Sequence, residues 1–441
     1  MGDAGRPGDD WGPAAGRWVG IWAAAPQQAE PANLPPEPFT RDGLVFADST
    51  LRQTIRVSAG AARIRLRLSN VFGGTELSLA RVCLARPGGG RAGVSSVAAG
   101  TSRAVTFAGR AGVAVPPGGE AVSDPLDFPV TAGANVAVTL YLAAGQPAAG
   151  GVTAHPGSRT TSYAISGDHV TDTDLAPAGA VAVEHWYFLG GVEAASGPPP
   201  FSGSASFSGP ASFSGPAGAV VFLGDSLTDG RGSTTNGNDR WPDQLLDLML
   251  SRGEADGVGA GGIALVNQGI GGNRVLSNGL GPAVLARLDR DALAVSGARW
   301  LVVFAGVNDI GTADPTEAAQ RQVAAELCTA YARIAAKAHA AGLAVYGATL
   351  TPFGGNDPYD DPAGHREAAR QAVNAWIRAQ TGGGGGRYAA VLDFDAAVHD
   401  PDAPRCLRPA LDSGDRMHLN PVGYRALAAA VPAGLFRPAA R

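Results

Sequence analysis

The chain has 441 residues, of which 45% are hydrophobic and 17% are charged. This length predicts two or three domains, and this composition allows sizeable cores and excludes a chain that is disordered throughout. The net charge of −5, with no dense run of basic residues, argues against a nucleic-acid partner. Three widely spaced cysteines, Cys83, Cys328 and Cys406, show neither metal-binding spacing nor a disulfide framework.

The first residues, 1–17, are rich in Gly, Asp and Pro, which predicts a flexible N-terminus. They lack the basic start and the apolar core of a signal peptide, and no segment is apolar for long enough to span a bilayer. As written, the sequence therefore favours a cytoplasmic protein with no membrane partner. A secreted protein whose leader had been removed would show the same pattern.

Short strands separated by Gly and Pro turns are predicted over residues 18–195. The segment 63–68 alternates strictly between arginine and apolar residues. Its apolar side chains (Ile64, Leu66 and Leu68) are expected to face a core, and its arginines to face water. Helical periodicity is nearly absent, which favours an antiparallel β-sandwich or jelly-roll domain. Such a domain either recognises carbohydrate or shapes a substrate site, or it is only a structural lid or docking partner. Further strand patterns occur at 18–22, 49–57 and 135–142.

Residues 196–218 contain three near copies of a six-residue unit built from Ser, Gly, Pro, Ala and Phe. So short a repeat cannot build a core of its own, and a flexible linker is predicted. From residue 219 to residue 441, strand and helix patterns alternate five times. This alternation predicts a parallel sheet covered on both faces, a doubly wound α/β/α domain. Its expected strands are 220–223, 263–266, 300–304, 343–350 and 389–394. Its expected helices are 241–251, one from Asp314-Pro315 to Gly342, one around 373–377, and 421–435.

Polar residues and glycines follow several of these strands. The carboxyl ends of the strands in a doubly wound sheet meet at one edge, so residues that are far apart in the sequence can converge there. The candidates are Ser226 after the first strand, Gly272 after the second, Asn308 after the third, and Asp415 and His418 after the fifth. Together they supply a hydroxyl nucleophile, hydrogen-bond donors, an imidazole and a carboxylate, which is the set needed for acyl transfer through a covalent intermediate.

Each residue type has a part in that chemistry. The hydroxyl of Ser226 needs a base, and His418 fits because imidazole titrates near neutral pH. Asp415, three residues earlier, is expected to hold one ring nitrogen and to stabilise the imidazolium. The predicted donors to the oxyanion are the backbone N–H groups of Ser226 and Gly272 and the side chain of Asn308. Loss of one such donor typically costs about 3–4 kcal/mol of transition-state stabilisation.

These positions resemble the four sequence blocks of the SGNH (GDSL-type) hydrolase family, in the family's order. The blocks are Gly224-Asp225-Ser226-Leu227, Gly272 five residues after Asn267, Gly306-Val307-Asn308-Asp309, and Asp415-x-x-His418. The resemblance covers about half of the chain, from residue 219 onward. It implies a flavodoxin-like three-layer fold, ester hydrolysis without a metal or cofactor, and the roles given above. The upstream sandwich is similar to the amino-terminal domain of some larger bacterial members, which are often exported.

Several other residues and motifs are weaker candidates for a functional site. Asp412 is an alternative to Asp415, but its spacing to His418 fits the required Asp–His geometry less well. Asp309 is interpreted as a carboxylate that orders a loop. The glycines of 257–262 match a dinucleotide fingerprint formally, but they precede a strand instead of following one. The other six histidines lack an Asp three residues before them on a strand-end loop and are interpreted as core or surface residues, so no metal site is predicted.

The sequence thus predicts a serine esterase that cleaves short O-acyl groups, such as acetyl, from a small-molecule or carbohydrate ester. One alternative is an acyltransferase that uses the same acyl-enzyme, for example in secondary metabolism. Another is a carbohydrate-binding protein with a vestigial hydrolase domain. The sequence does not predict the oligomeric state.

Overall fold

A computed structural model describes residues 17–196, 215–256, 262–381 and 386–436. The predicted flexible N-terminus, except for Arg17, and most of the predicted linker lie outside the described residues. The same holds for most of the glycine-rich segment that matched a dinucleotide fingerprint. None of the helices in the described ranges combines the length and apolar character that crossing a membrane requires.

The first region, 17–196, is built from strands joined by turns and short 3₁₀ segments. The strands are β1 (Arg17–Ala23), β2 (Gln27–Gln28), β3 (Thr40–Arg41), β4 (Leu44–Val45), β5 (Ser49–Arg56), β6 (Ala61–Ser69), β7 (Leu77–Leu79), β8 (Arg81–Ala85), β9 (Arg103–Val105), β10 (Val113–Val115), β11 (Glu120–Val122), β12 (Leu126–Val130), β13 (Asn135–Leu142), β14 (Gln146–Pro147), β15 (Thr153–His155), β16 (Ser162–Ser166), β17 (Val181–Val183), β18 (Trp186–Tyr187) and β19 (Leu189–Ser196).

Two antiparallel sheets dominate this region. One has the order β1-β19-β6-β11, with β12 also paired to β6, and the other has the order β17-β16-β5-β13-β8-β9. Ile64, Leu66 and Leu68 on β6 are buried in the core, as the alternating pattern predicts. The predicted all-β domain is therefore confirmed.

The arginines of β6 differ from the expectation that they face water. Arg65 and Arg67 are only partly exposed, because both form ion pairs with Glu193 on the neighbouring strand β19, at 2.5 and 3.2 Å. Glu193 itself is 2% exposed. The polar face of this sheet is thus covered by paired charges, a cross-strand arrangement that stabilises a sheet.

The second region alternates strands and helices. Its strands are β20 (Gly218–Gly224), β21 (Ile263–Gly269), β22 (Ala298–Phe304), β23 (Ala344–Ala348), β24 (Ala390–Leu392), β25 (His399–Asp400) and β26 (Ala403–Leu407). Its helices are α1 (Ser226–Asp229), α2 (Trp241–Asp256), α3 (Val284–Leu288), α4 (Val307–Thr312), α5 (Glu317–Ala340), α6 (His365–Arg378), α7 (Phe394–Val398) and α8 (Pro421–Ala430). A π-helical turn, Asp289–Leu293, continues α3.

Five of these strands form one parallel sheet in the order β21-β20-β22-β23-β24. Numbered within the region, this is the order 2-1-3-4-5 of flavodoxin-like doubly wound folds. The central strand β20 is buried along its whole length. The predicted fold class is therefore confirmed, and the carboxyl ends of the first and third strands lie side by side, where the chain reverses its direction of winding.

Element boundaries differ from the predictions where capping decides them. Helix α5 begins at Glu317 because Thr316 is its N-cap and accepts a hydrogen bond from the N–H of Ala319, whereas the sequence favoured Asp314-Pro315. Strand β24 ends at Leu392, since Asp393 caps α7 and Phe394 is already helical. Helix α8 ends at Ala430 and not at Leu435, because Pro432 disfavours helical geometry in the residue before it. Helices α3, α4 and α7 are too short to show periodicity.

The two regions share a packed boundary. The backbone N–H of Gly20 on β1 donates to the carbonyl of Ser296 at 2.8 Å, and the hydroxyl of Ser58 accepts from the N–H of Leu265 at 2.9 Å. Ala264 and Val266 of β21 belong to the apolar cluster of the first region. The edge strand of the parallel sheet is therefore covered by the β domain, and loops of both regions meet beside it.

Candidate active site

Ser226 lies at the carboxyl end of the central strand. Gly224 ends β20, and a Cβ at this position would lie 2.2 Å from Oγ1 of Thr228 and 2.8 Å from the carbonyl of Phe304, so the turn accepts only glycine. Asp225 then caps α1 by accepting a hydrogen bond from the N–H of Leu227 at 3.0 Å. The cap and the glycine together place Ser226 as the first residue of a one-turn helix, at the edge of the sheet.

His418 and Asp415 complete a chain of hydrogen bonds with Ser226. The hydroxyl oxygen of Ser226 lies 2.8 Å from Nε2 of His418, and Nδ1 of His418 lies 2.6 Å from a carboxylate oxygen of Asp415. Because a carboxylate only accepts, Nδ1 carries the proton, and Nε2 is left to accept from the serine hydroxyl. The structure thus brings these three predicted residues together in the order that a hydroxyl nucleophile requires.

The carboxylate of Asp415 is held in place by the turn that carries it. Its Oδ1 accepts hydrogen bonds from the backbone N–H groups of Met417 and His418 at 3.0 and 2.8 Å. Burial alone would raise the pKa of Asp415, but these bonds and the one from the His418 ring outweigh it and hold the pKa well below its ordinary value. The alternative, Asp412, accepts instead from the N–H groups of Gly414 and Arg416 and shapes the turn.

The predicted oxyanion donors face the same cavity as Ser226 and His418, which has a volume of about 930 Å³. Gly272 has a φ of +70°, a backbone conformation that favours glycine. The Nδ2 of Asn308 donates to the carbonyl of Asn273 at 2.9 Å, and its Oδ1 accepts from the hydroxyl of Tyr359 at 2.8 Å. These two bonds fix the amide with its nitrogen towards the Gly272 loop.

Two buried side chains outside the cavity wall stabilise the strand ends and the loop around the site. Arg287 donates to the carbonyls of Gly224 and Gln268, both at 2.8 Å, so it joins the ends of β20 and β21 directly beneath the site. Asp309 accepts from the N–H groups of Val275 and Leu276 at 2.8 and 2.9 Å, which is the loop-ordering role predicted for it. Burial raises the pKa of Asp309. Sequence reasoning missed Arg287, because a short helix gives no periodic signal.

The cavity is also lined by the first region. Its wall includes Gln27, Glu30 and Asn33 near β2, the loop that contains Pro156, Gly157 and Arg159, and His185. The sequence left open whether the two domains share a site, and no local motif marks these residues. The β domain therefore forms part of the wall of the cavity at Ser226.

His155, interpreted from sequence as a core or surface residue, is buried at the boundary between the regions. Its Nε2 lies 2.9 Å from Oδ1 of Asp229, the last residue of α1, and its Nδ1 lies 2.9 Å from the carbonyl of Ala25.

Within the described ranges, no group of three or more His, Cys, Asp or Glu side chains is arranged to hold a metal ion.

Residues 222–426 match the model of the GDSL-like Lipase/Acylhydrolase family. The resemblance of the sequence blocks to the SGNH (GDSL-type) hydrolases is therefore confirmed over this part of the chain, which is called the hydrolase domain below. A search of curated proteins found no match to the chain.

Three solved structures illustrate the similarity. An acetylxylan esterase from Geobacillus stearothermophilus is 21% identical, with 49% of this chain and 93% of that chain covered and a TM-score of 0.35. A GDSL-like lipase from Bacteroides thetaiotaomicron is 18% identical, with 48% and 85% covered and a TM-score of 0.33. An α/β hydrolase enzyme from the metagenome of Lake Arreo, Spain, is 18% identical, with 49% and 94% covered and a TM-score of 0.35.

Proposed function

We propose that the protein is a serine esterase that cleaves short O-acyl esters, such as acetyl esters of small molecules or carbohydrates, through an acyl-enzyme. One observation carries this proposal: the continuous hydrogen-bond chain from Ser226 through His418 to Asp415, with distances of 2.8 and 2.6 Å, opens into a cavity large enough for a small ester. The family of the second region supports the reaction class.

In the proposed reaction, Nε2 of His418 takes the proton of Ser226 while the serine oxygen attacks the ester carbonyl carbon. Asp415 keeps the ring oriented and stabilises the imidazolium. The backbone N–H groups of Ser226 and Gly272 and Nδ2 of Asn308 donate to the oxyanion. The C–O bond to the alcohol then breaks, and His418 returns the proton to the alcohol. A water molecule repeats the sequence on the acyl-enzyme and releases the carboxylic acid and free Ser226.

The side chain of Leu280 lies beside Gly272 and lines the cavity. An ester that binds with its carbonyl oxygen near Gly272 would have this apolar side chain as a neighbour.

The test compares the wild-type chain with Ser226→Ala on p-nitrophenyl acetate. We expect kcat to fall by at least about 10⁴-fold, because removal of the nucleophile leaves only the residual effects of binding and oxyanion stabilisation. Ser251→Ala is the matched control, since Ser251 is exposed on α2 and, among the described residues, its hydroxyl bonds only the carbonyl of Leu248. Mass spectrometry of the quenched wild-type reaction should show an adduct on the peptide that contains Ser226.

Two outcomes would replace the proposal. Unchanged turnover in the Ser226→Ala variant would remove the esterase assignment and leave ligand binding by the β domain as the better hypothesis. Product analysis in the presence of added alcohols separates hydrolysis from transfer. If the acetyl ester of the added alcohol outweighs free acetate at low alcohol concentration, the protein is an acyltransferase that uses the same acyl-enzyme.

A further inference from the structure

The loop that carries Arg159 is fixed to the hydrolase domain by hydrogen bonds on both sides. The N–H of Asn236 donates to the carbonyl of Arg159 at 2.9 Å, and the N–H of Thr161 donates to Oδ1 of Asn236 at 2.8 Å. The guanidinium of Arg240 also donates to the carbonyl of Ser158. These bonds position a residue of the β domain relative to α1 and the site, although the two segments are far apart in the sequence.

Arg159 itself has a left-handed backbone, with a φ of +50°. A residue with a side chain avoids this conformation, and such geometry persists only where the surroundings impose it. Here Asn236 bonds the backbone of Arg159 and of Thr161, on either side of this turn. The result is an arginine that is held in an unfavourable conformation while it lines the cavity of Ser226.

The guanidinium of Arg159 has no protein partner in the part of the chain that the structure describes. Its Nε is buried and makes no hydrogen bond, and no carboxylate of these ranges forms an ion pair with it. A buried donor without a partner is costly, so a purely structural arginine would be expected to have one. The side chain thus presents a fork of donors to the cavity, a geometry that matches the two oxygens of an anionic group.

The carboxylates of the same cavity are, by contrast, mostly engaged. Asp229 is bonded to His155, Asp415 to His418, and Glu30 accepts from Gln27 at 3.0 Å and from Asn33 at 2.7 Å. One further carboxylate of the lining, that of Asp357, is exposed. Arg159 thus differs from these carboxylates, because its buried donor has no acceptor among the described residues.

Two more arginines line the same cavity. Arg231 is exposed, and the guanidinium of Arg416 bonds, among the described residues, only the carbonyl of Gly355, at 3.0 Å. Both belong to the hydrolase domain, and both lie on loops that follow the strands. An anionic ester that enters the cavity would therefore meet cationic groups from both regions.

We propose that Arg159 binds an anionic group of the substrate, so that the preferred ester carries a carboxylate or a sulfate besides its short acyl group. This inference rests on the function proposed above, because it places the anion in the cavity of Ser226. It assigns to the β domain a direct part in substrate selection. Neutral esters then enter the same site without this contact.

The experiment measures kcat/KM for 4-acetoxybenzoate relative to its neutral methyl ester, with 4-acetoxybenzenesulfonate as the sulfate-like arm. In Arg159→Gln we expect the anionic-to-neutral ratio to fall by about 10- to 100-fold, the usual size of a lost charge-assisted hydrogen bond. The comparison of wild type with variant cancels the intrinsic reactivity of the two esters. If the ratio falls for only one of the two anionic esters, the anion of that ester is the group that Arg159 binds.

Two variants serve as controls. Arg159→Lys keeps the charge but loses the planar fork, so we expect an intermediate ratio. Arg110→Gln removes an exposed arginine from a turn of the same domain, outside the cavity, and should leave the ratio as in the wild type. Thermal unfolding of each variant verifies that it is folded.

A ratio that is the same in wild type, Arg159→Gln and Arg159→Lys would overturn the inference while the esterase proposal stands. If the wild type hydrolyses none of these esters, the esterase proposal fails, and the role of Arg159 is decided by binding alone. Calorimetric titration of 4-hydroxybenzoate into wild type and Arg159→Gln makes that decision. Weaker binding by the variant supports the role, and equal or absent binding in both contradicts it.

Discussion

The aspartates of two histidine–aspartate pairs line the cavity at Ser226. One pair lies in the hydrolase domain, and the other spans the boundary between the regions. In the first pair, His418 bonds Asp415 through Nδ1, and its Nε2 faces the hydroxyl of Ser226. In the second pair, His155 bonds Asp229 through Nε2, and its Nδ1 faces the carbonyl of Ala25. The distances are similar, and what differs is the partner of the other nitrogen.

That partner decides whether a ring nitrogen is free to accept a proton. A carbonyl and a carboxylate only accept, so both ring nitrogens of His155 face acceptors. A hydroxyl can donate, so Nε2 of His418 is free to accept from Ser226. A histidine beside an aspartate is therefore no signature of catalysis on its own, because the same pair also ties two domains together.

Substitution of the two aspartates tests this contrast most strongly. Asp415→Asn should lower kcat/KM on p-nitrophenyl acetate by about 10³- to 10⁴-fold, because the amide disfavours the tautomer that leaves Nε2 free and cannot balance the imidazolium. Asp229→Asn should lower it by less than about tenfold, since that side chain takes no part in the proposed proton transfer. Similar losses in both variants would remove the distinction between the pairs.

Removal of the second histidine should act on stability. His155→Phe keeps the stacking on Trp186, whose ring lies 5.7 Å away, but leaves the buried carboxylate of Asp229 without the imidazole that it bonds. We expect a loss of about 3–5 kcal/mol in the free energy of unfolding, measured by denaturant titration. The double variant His155→Phe/Asp229→Asn should recover part of this loss. Unaltered stability in the single variant would contradict a stabilising role of the pair.

The donors around Ser226 are expected to add to the effect of the first pair. Asn308→Ala should reduce kcat by about 10²- to 10³-fold, because one proposed oxyanion donor is lost. Tyr359→Phe removes only the hydroxyl that orients the amide of Asn308, so a smaller decrease in kcat is expected. If the tyrosine variant loses as much as the alanine variant, Tyr359 does more than orient Asn308.

The pH dependence of stability should differ in sign between two aspartates of the site. Burial raises the pKa of Asp225 to about 7 from 3.8, so the folded chain retains a proton that the unfolded chain has lost, and Asp225 makes stability fall as the pH rises from about 4 to about 7. Asp415, with its lowered pKa, contributes stability that is lost in acid as the pH falls through its folded-state pKa.

Thermal unfolding of Asp225→Asn across this range checks the sign. The variant should lack a contribution of at most about 1.4 kcal/mol per pH unit between pH 4 and pH 7. Parallel profiles for variant and wild type would show that Asp225 is ionised in the folded chain over the whole range.

The parts of the fold that follow local patterns were predictable. Strand–helix alternation predicted the parallel sheet, and the alternation of 63–68 predicted which side of β6 is buried. The convergence of Ser226, Asn308 and His418 followed from the rule that strand ends share one edge. The predicted boundaries at 195–196 and 218–219 remain predictions, because most of the linker lies outside the described residues.

The rest depends on contacts between distant segments. Arg159 and Asn236 lie on irregular loops of different regions, and neither has a sequence pattern that points to the other. The pair of His155 and Asp229 joins residues that are 74 positions apart. Arg287 bonds two backbone carbonyls, which any sequence provides, so nothing in its neighbourhood marks its role. Such groups become visible only when the chain is folded.

The packed boundary at β21 has a consequence for any attempt to shorten this protein. A fragment that starts near residue 215 would expose Ala219, Ala264 and Val266 to solvent and would remove the imidazole that Asp229 bonds. The fragment would keep Ser226, but its cavity would lack the wall that the β domain contributes. We therefore expect it to be both less selective and less soluble than the full chain, since the β domain lines the cavity and covers the apolar edge strand.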